Sequence, residues 1–486
     1  MKSFFKYIYI LIGVCIFSTH LQAQGVNTLY FLENAPMRHT INPAFQPYSN
    51  VYVALPAMGY TSLGIGNNAL TMKDLIFQDP TTGKTITALH PNAEGILWNK
   101  LPENLKISSD VHVNLLSFGA RTGKGEGYFH FNILEHIDLG ASVPKTTFGP
   151  LLGQSLNDIN LNTLNLSASV YTEIAFGYSH QINEKWTIGA KLKVLLGHAH
   201  FNGYFEELNM KSNQEATRLY GDGIFQAGGI LNSKLINDFV NGNGLPENYL
   251  QGQLIEDLKR LNWGGAIDLG LTYKPIQNIQ IAASVTDLGI IHWSNGEQAK
   301  MAMDTTFNGL GDLKYENYTD QNGNFQSDAF IQDAGDKLLS YLDAMHIHAP
   351  EDKAFNQMLT AKINVGVDAN VWKNRIGIGV YSRTLIHAKQ VSEEVTFGAA
   401  FRPFRCLNIA ASYSLLNGHS SNLGAAVSIA PYDGIMLTVA SDYIPTAFAT
   451  YETEKQILQL PYETGFVNLT FGVTIVVGTS KKKGQE

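Results

Sequence analysis

Residues 163–181 and 185–200 alternate strictly between apolar and polar side chains across a short turn. Leu164, Leu166, Ala168, Val170, Thr172, Ile174, Phe176 and Tyr178 fall on one face of the first stretch. The other face carries Asn165, Ser167, Ser169, Tyr171, Glu173, Ala175, Gly177 and Ser179. Past the turn, Trp186, Ile188, Ala190, Leu192 and Val194 oppose Thr187, Gly189, Lys191 and Lys193. Side chains on a strand alternate with period two, so each stretch has an oily and a wet side. Half-buried strands of soluble proteins run about 5–6 residues, and a strand crossing an outer membrane needs about 9–11. These are longer than either. The fold expected is all-β, a transmembrane antiparallel β-barrel.

The N-terminus reads as a signal peptide over 1–23. Lys2 and Lys6 precede an apolar run from Ile8 to Phe17, and a small residue, Ala23, stands before Gln24. That is the pattern of a secretory leader, and the run is shorter than the roughly 20 residues of a spanning helix. Val14 before Cys15 does not suit a lipoprotein leader. Without the leader one cysteine is left, Cys406, so no internal disulfide forms. Mean hydropathy near zero fits a barrel, whose signal is alternation rather than bulk hydrophobicity. A net charge of −8 offers nothing to nucleic acid.

Fourteen candidate strands lie near 51–58, 110–120, 128–143, 163–181, 185–200, 263–274, 278–293, 359–372, 375–386, 393–402, 406–416, 421–430, 434–444 and 465–477. Every second link is a turn of a few residues, and the alternate links hold all the long segments: 59–109, 144–162, 201–262, 294–358 and 445–464. Outer-membrane barrels separate short periplasmic turns from long outer loops in this way, whereas a soluble sandwich has no reason to. The barrel is expected over 51–478, with 479–486 as a basic periplasmic tail that includes Lys481–Lys483.

Turn parity checks the strands. In the fourth and fifth the oily faces both fall on even numbers, which demands an odd loop, here Ile182–Glu184, and sets Glu173 opposite Lys193. In the eighth and ninth the parity changes, which demands an even loop, Lys373-Asn374. Tyr178, Trp186, Tyr273 and Phe401 share the oily parity beside short turns, with Trp293 at the far end of its strand, as an interfacial aromatic belt requires.

A family resemblance rests on Gly264–Pro275, on Ser284-Val285-Thr286-Asp287-Leu288-Gly289-Ile290-Ile291-His292-Trp293, on Val439–Ile444 and on Asn42-Pro43-Ala44. The chain resembles a family of uncharacterised Bacteroidetes outer-membrane barrels. That family in turn resembles the fourteen-stranded long-chain fatty-acid transporter group, in which an Asn-Pro-Ala-type segment belongs to a plug inside the barrel. The resemblance implies that residues 24–50, with Asn42, Pro43 and Ala44, form such a plug. It implies no activity, because fold does not dictate function.

Inward positions expected to line the lumen are Asn165, Ser167, Ser169, Tyr171, Glu173, Lys191, Lys193, Asp268, Asn364, Asp368, Asn370 and Arg383. They either brace a filled interior or line a permeation path. Leu250, Leu254 and Leu258, and again Leu338, Leu342 and Met345, fall at helical spacing in the long loops. Apolar stripes outside a membrane must pack on each other, cover the mouth, or meet an apolar ligand or partner.

No catalytic residues, cofactor or metal site are expected. His198 and His200 lie two apart and so share a face, as do His346 and His348, but two histidines lack a third ligand. Asp320, Asn322 and Asn324 begin like a calcium loop that lacks its Gly and Glu. Nucleophile-elbow, zinc-protease and phosphate-loop motifs are absent from the sequence. The leading expectation is a barrel that binds or transports small hydrophobic molecules and touches outer-membrane lipids. A surface scaffold for a protein partner in secretion or gliding is the alternative, and a simple diffusion porin the third.

Overall fold

Fourteen antiparallel strands close into a cylinder. A computed structural model describes residues 26–479 except 79–84, 88–94, 124, 149–157, 213–216, 232–261, 308–314, 320–325, 327–328, 330–331, 334–344, 348–350, 388–389, 405, 417–419, 433, 445–447, 453–456 and 462–464. The first strand comes in two pieces, Ser49–Ala54 and Thr61–Asn67. In order there follow Asn104–Thr122, Gly127–Pro144, Asn165–Gln181, Trp186–Ser212, Asn262–Ile276 and Ile279–Trp293. The eighth strand is Phe355–Met358 with Ala361–Val371, and the last six are Ile376–His387, Gln390–Phe404, Leu407–Leu416, Ser420–Tyr432, Ile435–Ser441 and Phe466–Thr479.

Both pieces of the first strand pair with the second and with the fourteenth, which removes every edge: Val51 faces Ala120 and Val477, and Leu63 faces Val111 and Leu469. The strand expected at 51–58 therefore breaks at Leu55 and resumes at Thr61, extending into what reads as loop. Residues 55–60 leave the line but stay bonded, since Ala57 N donates to Asn114 O at 2.6 Å and Val473 N donates to Met58 O at 2.7 Å.

The outer face is apolar and open. Leu192 is 65% exposed, Phe176 55% and Leu269 50%, with Ile188, Val365, Phe397, Val439 and Leu469 beside them on other strands. A contiguous apolar surface that wraps a cylinder needs an apolar solvent around it. Trp186 stacks on Tyr273 with centroids 4.3 Å apart, beside the short turns.

Three β-bulges flip the parity beyond them, and two of them overturn an expectation of facing. In the fourth and fifth strands Val170 pairs with Ala199 but Tyr171 with Gly197, so His198 is the extra residue. His198 consequently reaches Thr172 at 2.7 Å while His200 reaches Ser169 at 2.9 Å, and the two histidines lie on opposite faces. In the seventh strand the register shifts at Asp287, whose φ is +61°, and Trp293 turns inward, fully buried against His200 rather than facing lipid. In the second strand the shift falls at Leu115.

The hairpin between strands four and five keeps the expected parity but not the expected register. Gln181 pairs with Thr187, so the loop has two more residues than the three expected and Glu173 sits opposite Leu195. The eighth and ninth strands take the expected register, Val371 with Ile376, across a turn in which Trp372, Lys373 and Asn374 all have positive φ.

Among the described residues, the long links hold more strand than loop. Strand five runs on to Ser212 and pairs with Thr217–Gly229, which pairs with Glu297–Phe307. Met345 belongs to a strand, Met345–Ile347, bonded to Met301–Met303, and not to a helix. Leu250, Leu254, Leu258, Leu338, Leu342, His348, Asp320, Asn322 and Asn324 lie outside the described residues.

Candidate functional site

Residues 26–48 run through the interior of the cylinder as two short 3₁₀ turns, Asn27–Phe31 and Pro36–Thr40. Prolines at 36, 43 and 47 remove amide donors, so this stretch cannot join the sheet as a regular strand. Its apolar residues, Leu29, Tyr30, Phe31, Leu32, Met37, Ile41 and Phe45, form a core with Tyr52, Tyr128, Tyr381 and the inward alanines Ala282, Ala400, Ala410, Ala426 and Ala440. The interior is thus not uniformly polar.

Its polar groups are met by the wall. The backbone N–H groups of Asn27 and Thr28 both donate to Asp442, that of Thr28 at 3.0 Å. Tyr30 Oη donates to Asp368 at 2.7 Å. Asn42 Nδ2 donates to the carbonyls of Leu271 (3.2 Å) and Ala283 (3.1 Å), and its Oδ1 accepts from Ala44 N at 2.8 Å. The Ile41 carbonyl accepts from Ser284 (2.7 Å) and Asn364 (3.1 Å). Inward glycines let the segment approach: a Cβ at Gly189 would collide with Pro43, one at Gly366 with Tyr30 and one at Gly398 with Phe31.

Glu33 anchors the segment near the short turns. It accepts from Asn370 at 2.7 Å and from Tyr48, and it pairs with Arg402 at 3.2 Å. Burial works to raise its pKa, but Arg402 and Arg38, with the two hydrogen bonds, hold it down at about 2. A depressed carboxyl favours docking above its free value of about 4.3, and that contribution is lost as pH falls through about 2. Pepsin digestion of the reconstituted barrel should therefore leave residues 26–48 intact near pH ~4 and cut there increasingly towards pH ~2. Arg402→Ala should move the onset of cutting to higher pH; an unmoved onset would show that the pair does not hold the segment.

Beside the segment lies a network of buried charge. Lys193 Nζ sits 3.0 Å from Asp268 and 3.2 Å from Glu173, and also pairs with Asp287. Lys362 holds Asp287 at 2.8 Å, and Lys191 lies 3.6 Å from Asp268 while donating to the His39 carbonyl at 3.4 Å. Glu173 and Lys193 meet diagonally across the ladder rather than directly, which long side chains allow. On strands two and three, Asp110 faces Asp138 and His112 faces His136. Asp110, His112, His136, Glu173, Asp287 and the three lysines border a cavity of about 60 Å³ together with Val26, Ile41, Asn364 and Arg383. Such a volume suits a few waters and no organic cargo.

Of the other expected lining residues, Asn165, Ser167, Ser169, Asp368 and Asn370 lie apart from this network, while Tyr171 adjoins it at His136 and Arg383 borders the same cavity. Asn165 donates to Asn202 at 3.0 Å, Ser167 to the Gly140 carbonyl at 3.3 Å, and Ser169 meets His200. Tyr171 stacks on His136 with centroids 4.6 Å apart. Asp368 and Asn370 sit near the short turns with Tyr30 and Glu33, and Arg383 Nε donates to Tyr381 Oη at 3.1 Å. Sequence reasoning missed Asp110, His112, His136, Asp138, Asp287 and Lys362. Asp287 did leave a trace, as a lone carboxylate on the lipid-facing register.

An edgeless cylinder with an oily outside and a filled, charged inside defines a transmembrane-type β-barrel. The chain belongs to DUF5723, a family of unknown function, which matches over residues 43–442. No curated protein matches it. Solved structures similar to it include the Ralstonia pickettii toluene transporter TbuX, at 10% identity over 93% of this chain and 94% of that one, with a TM-score of 0.41. A Pseudomonas aeruginosa FadL homologue is similar at 10% identity over 93% and 96%, TM-score 0.41. The CymD monoaromatic hydrocarbon channel is similar at 10% identity over 91% and 93%, TM-score 0.40.

Proposed function

We propose that this protein is an outer-membrane barrel, exported by a cleaved leader over 1–23, that binds small hydrophobic molecules and passes them inward past a plug formed by residues 24–50. On the motif resemblance the membrane is that of a Bacteroidetes cell, with the short turns and the 479–486 tail in the periplasm. The apolar girdle supports the membrane, since no soluble assembly would leave it open. One observation carries the plug: residues 26–48 are hydrogen-bonded or packed to strands around most of the wall, from Tyr52 and Ser284 to Asp442. With the segment seated, the cavity beside it is small and charged, so cargo passes there only when the segment shifts.

Two measurements test this reading. Planar bilayers holding the native barrel should stay near closed, and deletion of residues 24–47 should give steady open currents. Detergent-purified native protein should carry acyl chains or other apolar molecules by mass spectrometry. Large steady conductance from the native chain would instead support the diffusion porin.

The sheet that Phe201–Ser212, Thr217–Gly229 and Glu297–Phe307 carry beyond the wall favours a second reading, a surface scaffold. A stoichiometric protein recovered with the native barrel, without bound apolar molecules, would support it.

A further inference from the structure

We propose that the inner wall of strands two and three holds a divalent metal ion of the zinc type, ligated by Asp110, His112 and Asp138 with His136 beside them. The two strands carry mirrored pairs, Asp110-Val111-His112 and His136-Ile137-Asp138, that the antiparallel register lays directly across one another. Asp110, His112 and Asp138 each offer a ligand atom, and these atoms all lie within 4.8 Å of one another. The His112 and His136 rings are 4.3 Å apart, and Asp110 and His112 border the cavity that water would use to reach the ion.

Two further observations point to a missing positive partner. Asp138 Oδ1 is sealed from solvent and accepts no hydrogen bond. His136, 5% exposed, stands beside these ligands with its Nε2 turned to Glu173 at an ion-pair distance of 3.4 Å. Like charges directly opposite on neighbouring strands repel unless a proton or a cation lies between them. The ammonium groups that line the cavity already hold other acids, Lys193 and Lys362 at Asp287 and Lys191 at Asp268. Imidazole with carboxylate oxygens is a donor set for zinc and its neighbours, and water would complete the shell. His112 Nε2 now lies 3.0 Å from Asp110 Oδ1, so the ion would replace that contact with two metal bonds.

The test uses the tag-free, chelator-treated barrel in detergent. Titration with Zn²⁺, read by calorimetry and by metal content after desalting, should give one bound equivalent per chain. His112→Ala and Asp138→Asn should each weaken binding by about tenfold or more, while His200→Ala, at another buried histidine, leaves it unchanged. The mobility shift of unheated samples in SDS gels certifies that each variant is folded. Should a variant not fold, Co²⁺ added to the native barrel decides instead: paramagnetic shifts on the His112 ring support the site, and their absence overturns it. Absence of saturable Zn²⁺ binding, or binding that survives both substitutions, also overturns it.

Discussion

Replacing Lys193 by Met is expected to cost about 3–5 kcal/mol of barrel stability, although both side chains are long and unbranched. The ammonium group answers three carboxylates, Glu173, Asp268 and Asp287, and its side chain is 5% exposed. Removing it leaves those acids shielded from bulk water, with room for a few molecules at most, and that uncompensated charge, more than any lost attraction, sets the cost. Lys191→Met should cost clearly less, because Lys191 meets one acid at 3.6 Å and a backbone carbonyl. Urea unfolding and refolding into lipid vesicles measures both. Equal and small losses would mean that Lys191 and Lys362 take over all three acids, and the central role of Lys193 would be wrong.

Leucine at Gly189 or Gly398 should expel the N-terminal segment while leaving the wall closed. Neither glycine has positive φ, so the strand accepts a side chain, but the first added carbon already overlaps Pro43 in one case and Phe31 in the other. The neighbours cannot yield, since Phe31 packs against Tyr30 at 5.2 Å and Pro43 lies between the bonded Asn42 and Ala44. Overpacking of this kind typically costs about 1–3 kcal/mol, and here undocking relieves it. Protease added to reconstituted barrels should then cut within residues 26–48, with the heat-modifiable mobility of the cylinder kept. A segment still protected in both variants would show that the space near Gly189 and Gly398 is not what seats it.

The cylinder was legible because alternation is a local property: Val467, Leu469 and Phe471 announce their facing without any partner. Parity also fixed whether a turn is odd or even, yet not its length. Loops of three and five residues place Trp186 on the same face, so nothing in the pattern separates Glu173 opposite Lys193 from Glu173 opposite Leu195. Bulges hide more. Asp110 meets Asp138 only because one extra residue at Leu115 shifts the ladder, and the adjacent Leu115 and Leu116, where alternation stumbles, were its only mark. Asp287 gave a louder mark, a charge on the oily side, and beyond it Trp293 turned from lipid to interior. The contacts of residues 26–48 leave no periodic trace, since many of them join groups hundreds of positions apart.

That separation dictates an order of assembly. A ribosome releases Asn27 well before its acceptor Asp442, which follows 415 positions later. Contacts so remote in sequence are slow to find, and this one has no counterpart until the thirteenth strand exists. The tenant built first must therefore wait outside until its house has nearly been completed, and on the proposed route of export it would wait as a loose, greasy thread.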